Sequence, residues 1–312
     1  MHGEVLAVRA PAKINLFLRV TGRRADGYHT LETLMHKVGL FDLLELRRGG
    51  EGVRLHCPGA DLPEDSGNLV HRAAELFLQT AAQRLGGPLP GVDIALFKNI
   101  PVAAGLGGGS SDAAATVKGL NRLFDAGLTE GELAALGLRL GADVPFFVAD
   151  APAALAVGIG EILTPVAPLT DCSVLLVNPG FAVSTRWVYQ NFALTKNRKA
   201  TNLKNLQESA VRLNRPGSTV AVKGLPASLH NDLESVTIAR FPEIGRLKEE
   251  LLARGAVAAL MSGSGPTVFA LFPDRQAAET CRALFARRFT QTFLVHPYAG
   301  ETRRDTSGNV SR

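Results

Sequence analysis

The sequence has little that would place it in a membrane, in an oxidising compartment or on a metal. No stretch is long and uncharged enough to cross a bilayer, and the opening residues carry Glu4 and Arg9 where a signal peptide would need an apolar run. Cysteine is scarce. Cys57, Cys172 and Cys281 are odd in number and fall in no metal-ligand spacing, so a disulfide framework is not expected. They suit reduced thiols in a cytoplasmic protein and read as plain core residues. There is no Gly-Lys-Ser or Gly-Lys-Thr, which excludes a Walker A loop.

What is present is an ordinary globular composition. With 312 residues, 46% of them hydrophobic, the chain can bury a sizeable core and is expected to form two domains. The net charge of +5 is concentrated: between 195 and 224, seven basic residues face one acid, Glu208. That segment reads as a solvated insertion more readily than as one that steers an anionic substrate. No aromatic residue is interleaved with these charges to stack on bases, so nucleic acid is not an expected partner.

The most informative stretch is Pro101, Val102, Ala103, Ala104, Gly105, Leu106, Gly107, Gly108, Gly109, Ser110 and Ser111. Val92, Ile94 and Leu96 alternate before it as in a strand. After it, a helix is expected from about Asp112 to Phe124, with Ser110 and Ser111 as N-cap residues. Strand, glycine loop and helix N-terminus together form an anion site, because unpaired N–H groups and the positive end of the helix dipole point at one place. A flexible turn is the plain alternative. The last glycine of the dinucleotide fingerprint is missing, so phosphate would be held by another scheme.

A proline, Gly-Leu-Gly and a Ser-Ser pair opening a helix resemble the phosphate loop of the GHMP small-molecule kinases, named for galactokinase, homoserine, mevalonate and phosphomevalonate kinases. The usual loop has its serines directly after Gly-Leu-Gly, whereas here Gly108 and Gly109 intervene. This longer form resembles the branch that phosphorylates a cytidine-diphosphate-linked methylerythritol in the non-mevalonate isoprenoid route. The resemblance implies ATP and Mg²⁺ as cofactors and a small-molecule acceptor. It implies no metal ligand that can be named.

Other segments agree with it. Residues 4–10 and 14–20 read as strands, the second with Ile14, Leu16 and Leu18 on one face and Lys13, Asn15 and Phe17 on the other. Lys13 is then either an exposed residue at a strand end or, as the similar motif Pro-Ala-Lys-Ile-Asn-Leu implies, a catalytic residue facing the acceptor beside Asn15. Residues 23–33 read as a loop around Asp26-Gly27. Tyr28 and His29 pack on the core or, by resemblance, hold the cytosine base. A hairpin is expected between 43–48 and 53–57.

Asn68 reads as the N-cap of an amphipathic helix with Leu69, Ala73, Leu76 and Phe77 on its buried face. By resemblance, it and Lys98 lie near the nucleotide. Thr129 and Glu132 form a capping box. Asp143, in Gly-Ala-Asp-Val-Pro-Phe, reads as a turn residue or a carboxylate too costly to bury without a use. The matching family motif implies that it is the catalytic base.

From 166 to 298 the pattern is strand, helix, strand, strand, helix, strand, a ferredoxin-like order. Its glycines at 261–267 make a hairpin turn or, by resemblance, close over the phosphates, and Phe181 is either core or a second aromatic wall for the base. The expected fold is thus α/β (α+β), with an N-terminal domain at 1–165 and a ferredoxin-like domain at 166–298. The active site is expected between them, and a disordered tail at 299–312.

Overall fold

The computed structural model describes residues 5–193, 220–221 and 229–300. The expectations for the basic segment 195–224 and for the tail fall almost wholly outside the described residues.

Strands β1 (Val5–Arg23) and β2 (His29–Arg48) form a long antiparallel pair. The two strands expected at 4–10 and 14–20 are therefore one, and Pro11 is absorbed as a register shift between Pro11 and Ala12. A second shift leaves Leu16 between the pairs Asn15–Met35 and Phe17–Leu34. This bulge turns Phe17 into the core with Ile14 and Leu16, correcting the strict alternation that set it beside Lys13 and Asn15. The loop expected at 23–33 shrinks to 24–28, because pairing begins again at Arg23 and His29.

Helix α1 (Leu69–Leu85) follows β3 (Val53–His56), and β4 (Val92–Phe97) then inserts between β2 and β3, antiparallel to the first and parallel to the second. The expected hairpin of 43–48 with 53–57 is therefore wrong. The glycine turn at 49–52 instead bonds to the start of β4, with Val92 N–H donating to Gly52 O at 2.8 Å. Alternation marks a strand but not its neighbour.

Helices α2 (Gly108–Leu123), α3 (Glu130–Leu140) and α4 (Val144–Val148) come next. With α1 they cover one face of the sheet and bury Phe77, Leu44, Leu46 and Val117 against it. Asn68 caps α1, accepting from Val70 N–H at 3.0 Å, and the Thr129–Glu132 capping box is present. Strands β5 (Ala153–Val157) and β6 (Ile162–Pro165) extend this sheet. So does β10 (His230–Asn231), which pairs parallel with β1.

The second sheet contains β8 (Ser173–Asn178), β11 (Ala258–Met261), β12 (Val268–Phe272) and β13 (Gln291–Val295), in the antiparallel order β11-β12-β8-β13. This is the ferredoxin-like arrangement the pattern predicts. Two short strands, β7 (Leu169–Thr170) and β9 (Val220–Ala221), pair separately. Val174 and Leu176 of β8 face a core shared with Ile14 and Leu34 of the first sheet, while Leu175 and Val177 face α5 (Thr185–Asn191), α6 (Glu234–Arg240), α7 (Pro242–Ala253) and α8 (Arg275–Phe285). The layers run helices, sheet, sheet, helices. A strand covered on both faces is apolar at every position, as the Val-Leu-Leu-Val of β8 is.

Candidate active site

The glycine loop opens a cavity of about 940 Å³ that reaches residues of both halves of the chain. Its helix starts earlier than expected. The N-cap of α2 is Gly107 with φ 71°, so Ser110 and Ser111 lie inside the first turn and no side chain caps it. The loop therefore presents bare N–H groups, the arrangement an anion needs. Gly107 is required there: a Cβ would come within 3.0 Å of both Phe147 and Lys13 Cγ. Gly105, with φ 78°, lies so close to the β11–β12 turn that a Cβ would sit 2.0 Å from Ser262 O. Ser262 Oγ donates to Gly105 O at 2.9 Å, and Gly263 and Ser264 join the cavity wall. Ala103 holds a left-handed φ of 52°, unusual for a residue with a Cβ, on the same wall.

Lys13 and Asp143 meet on the cavity wall. Lys13 Nζ lies 3.5 Å from Asp143 Oδ2 and donates to Asn15 Oδ1 at 2.6 Å, while the Asn15 amide donates to Thr33 Oγ1 at 2.8 Å. Lys13 is 6% exposed and Asp143 is 37% exposed. The burial that the sequence suggested for Asp143 is thus not found. Its carboxylate opens onto the cavity, and the lysine beneath it is the buried partner.

At the far end, Tyr28 is exposed and His29 packs on Tyr189, ring centroids 5.3 Å apart at 30°. Burial, and then the Arg23 guanidinium, lower the His29 pKa from its ordinary value and so favour the neutral ring, which can both donate and accept. Burial raises the phenol pKa of Tyr189, as does the Asp143 charge. Sequence reasoning missed Tyr189. Phe181, which it named, does not line the cavity and stacks on Phe241 at 4.8 Å, both half-buried against the core of the second sheet. The signal available was α5 itself: an aromatic on a helix capped by Ser184, whose own Thr185, Arg186 and Gln190 also reach the cavity.

At the glycine-loop end, Asn68 and Lys98 both line the cavity. Lys98 is not free. Its ammonium lies between Asp42 and Asp112, 2.6 Å from the latter, and Asp42 also accepts the N–H groups of Asn99 and Ile100. Burial pushes the Asp112 carboxyl up to about 8 against the pull of Lys98. Of the residues named from the sequence, only Leu106, Ser111 and Phe181 do not line the cavity. Leu106 belongs to the shared core, and Ser111 is buried with its Oγ unpartnered.

Comparison with known proteins gives the family. Residues 68–151 match the GHMP kinases N terminal domain and 221–290 the GHMP kinases C terminal. The chain is 47% identical over 279 residues to the 4-diphosphocytidyl-2-C-methyl-D-erythritol kinase of Pelobacter propionicus, covering 89% of this chain and 93% of that one. The chain belongs to the GHMP kinase family, in its 4-diphosphocytidyl-2-C-methyl-D-erythritol kinase branch. A crystal structure of 4-(cytidine 5'-diphospho)-2C-methyl-D-erythritol kinase, 34% identical, superposes with a TM-score of 0.73 over 94% of this chain and 100% of that one. The homoserine kinase of Cytophaga hutchinsonii, 20% identical, superposes at 0.69 over 95% of each and shares the fold. As a GHMP kinase the chain uses ATP. The loop suits a phosphate, since the first turn of α2 has no side-chain cap and Gly107, Gly108, Gly109 and Ser110 line the cavity.

Proposed function

We propose that this GHMP kinase transfers the γ-phosphoryl of ATP to the 2-hydroxyl of 4-diphosphocytidyl-2-C-methyl-D-erythritol, giving the 2-phosphate and ADP in the non-mevalonate route to isoprenoid precursors. The observation that carries the reading is the Lys13–Asp143 contact, set between a phosphate cradle and an aromatic wall in one cavity. Asp143 accepts the proton of the attacking hydroxyl, and its exposure on the cavity gives that hydroxyl access. Lys13 lies against the carboxylate and stabilises the developing alkoxide, while Asn15 and Thr33 hold its ammonium in place. Tyr28, His29 and Tyr189 take the cytosine ring, by stacking and by hydrogen bonds to its edge. The loop from Pro101 to Ser110 and the start of α2 receive the ATP phosphates. Asn68 and the Lys98 cluster lie on the nucleotide side.

Mg²⁺ would neutralise phosphate charge during transfer. Among the described residues, no group of three or more His, Cys, Asp or Glu could hold a metal. Phosphate oxygens and water would be its chief ligands, and Ser110, on the first turn of α2 and in the cavity wall, could add a hydroxyl oxygen. We divide the chain into domains at 1–165 and 166–298, supported by the end of β6 at Pro165 and the start of the second sheet at Ser173. A cytoplasmic location is supported by three free, buried cysteines. Among the described residues, no helix is long and apolar enough to cross a membrane.

The test is ADP release from Mg-ATP with the cytidylyl substrate, homoserine and mevalonate offered in parallel. Turnover is expected with the first alone, and an Asp143→Asn variant should lose about 10²- to 10⁴-fold in kcat while still binding ADP. Turnover with another acceptor would overturn the substrate assignment. A fully active variant would overturn the base.

A further inference from the structure

Residue Asn231 belongs to a segment that leaves the second half of the chain and joins the edge of the first sheet. Strand β10 pairs with β1 through Phe17–His230 and Leu18–Asn231. Asp232 continues the attachment, its N–H donating to Leu18 O at 2.9 Å and its Oδ2 accepting from Val20 N–H at 2.8 Å. The segment is thus fixed to the strand that carries Lys13 and Asn15.

The Asn231 side chain points the other way, into the turn between β11 and β12. Its Nδ2 donates to Met261 O at 2.8 Å and to Gly263 O at 2.7 Å, so both amide hydrogens are committed on either side of Ser262. Its Oδ1 accepts from Leu233 N–H at 3.0 Å. The residue is 2% exposed, so no solvent competes for these bonds. Ser262 in turn donates to Gly105 O, and a Cβ on Gly263 would lie 3.1 Å from Gly105 O and 3.4 Å from Asn15 Oδ1. One turn is therefore hydrogen-bonded to the glycine loop through Ser262 and lies beside strand β1 at Asn15.

We propose that Asn231 is a positioning residue for the ATP phosphates: it sets the distance of the β11–β12 turn from the glycine loop and ties that distance to strand β1. Asn is required because the two groups it holds are both carbonyls, which only a double donor can bridge, while a third bond needs an acceptor. Aspartate would set a carboxylate against two carbonyl oxygens. This inference rests on the kinase reading and adds a residue that does not touch either substrate.

The test uses the full chain with Asn231→Ala, Ser262→Ala and the double variant, measuring ADP affinity by calorimetry and the two KM values by turnover. Asn231→Ala is expected to weaken ADP and raise KM for ATP roughly tenfold, with KM for the acceptor unchanged within about twofold. Ser262→Ala should show the same split more weakly, and the double variant should be no worse than Asn231→Ala, since both act on one turn. Equal rises in both KM values, no change in ADP affinity or additive effects would overturn the proposal. If Asn231→Ala does not fold, Ser262→Ala decides by the same split. A wild-type chain that binds ADP without phosphorylating the acceptor would refute the kinase reading, and the ADP affinities of the variants would still decide this one.

Discussion

Replacing Gly105 by alanine should do more damage than its single methyl suggests, and a matched control isolates the reason. Gly105 and Gly86 hold nearly the same backbone conformation, φ 78° and 76°. An alanine at either position carries the left-handed penalty of about 1–2 kcal/mol. Around Gly86, the residue that ends α1, nothing lies within 4 Å of the added Cβ. At Gly105 the Cβ would lie 2.0 Å from Ser262 O, a backbone atom that must retreat beyond 3.4 Å for ordinary contact. Ser262 O also accepts from Gly265 N–H at 2.9 Å, so the retreat moves the whole β11–β12 turn. Such overpacking costs about 1–3 kcal/mol beyond the backbone penalty. Urea unfolding of the two variants should show Gly105→Ala less stable than Gly86→Ala by about that amount. KM for ATP should rise in the first variant alone. Equal stabilities, or an unchanged KM for ATP in Gly105→Ala, would refute the claim that the two loops are in contact at this glycine.

Tyr189→Ala should raise KM for the cytidylyl substrate roughly tenfold or more, the value of one base–aromatic stack, and leave KM for ATP unchanged. Phe181→Ala should instead lower stability with no preference between substrates, because its partner is Phe241; steady-state kinetics on both variants separate the two. Lys37 is 3% exposed, donates to Ala149 O at 2.6 Å, and burial pushes its pKa down from 10.5 to about 8. Between those values the unfolded chain binds more protons than the folded one, so this residue's contribution to stability rises with pH from about 8 to 10.5, by on the order of 3 kcal/mol. Unfolding free energies of wild type and Lys37→Met should diverge over that window in favour of the wild type; a constant difference would show that Lys37 is not buried as a cation.

Features governed by neighbours in the chain are legible in the sequence. Asn68 caps its helix, Thr129 and Glu132 close their box, and β4, the glycine loop and α2 follow in the expected order, because capping and alternation are satisfied within a few residues. The ferredoxin-like succession is legible for the same reason. Errors arise where the deciding contact is distant. Nothing near 49–52 says that a strand from 92–97 will slip between β2 and β3, and the α2 start depends on Gly107 adopting a positive φ against Phe147 and Lys13.

The sequence by itself determined the chemistry at hand: a helix N-terminus behind glycines, a lysine and amide on one strand, and a carboxylate in a turn before Pro145. Only the tertiary structure decided which of these groups meet. It brought Lys13 to Asp143, closed Lys98 between two carboxylates, set Tyr189 against His29 and Phe181 against Phe241, and sent Asn231 across to β1. The physical reason is that local hydrogen bonding selects a helix or strand one segment at a time, whereas the distance between side chains far apart in sequence is set by how whole sheets and helices pack.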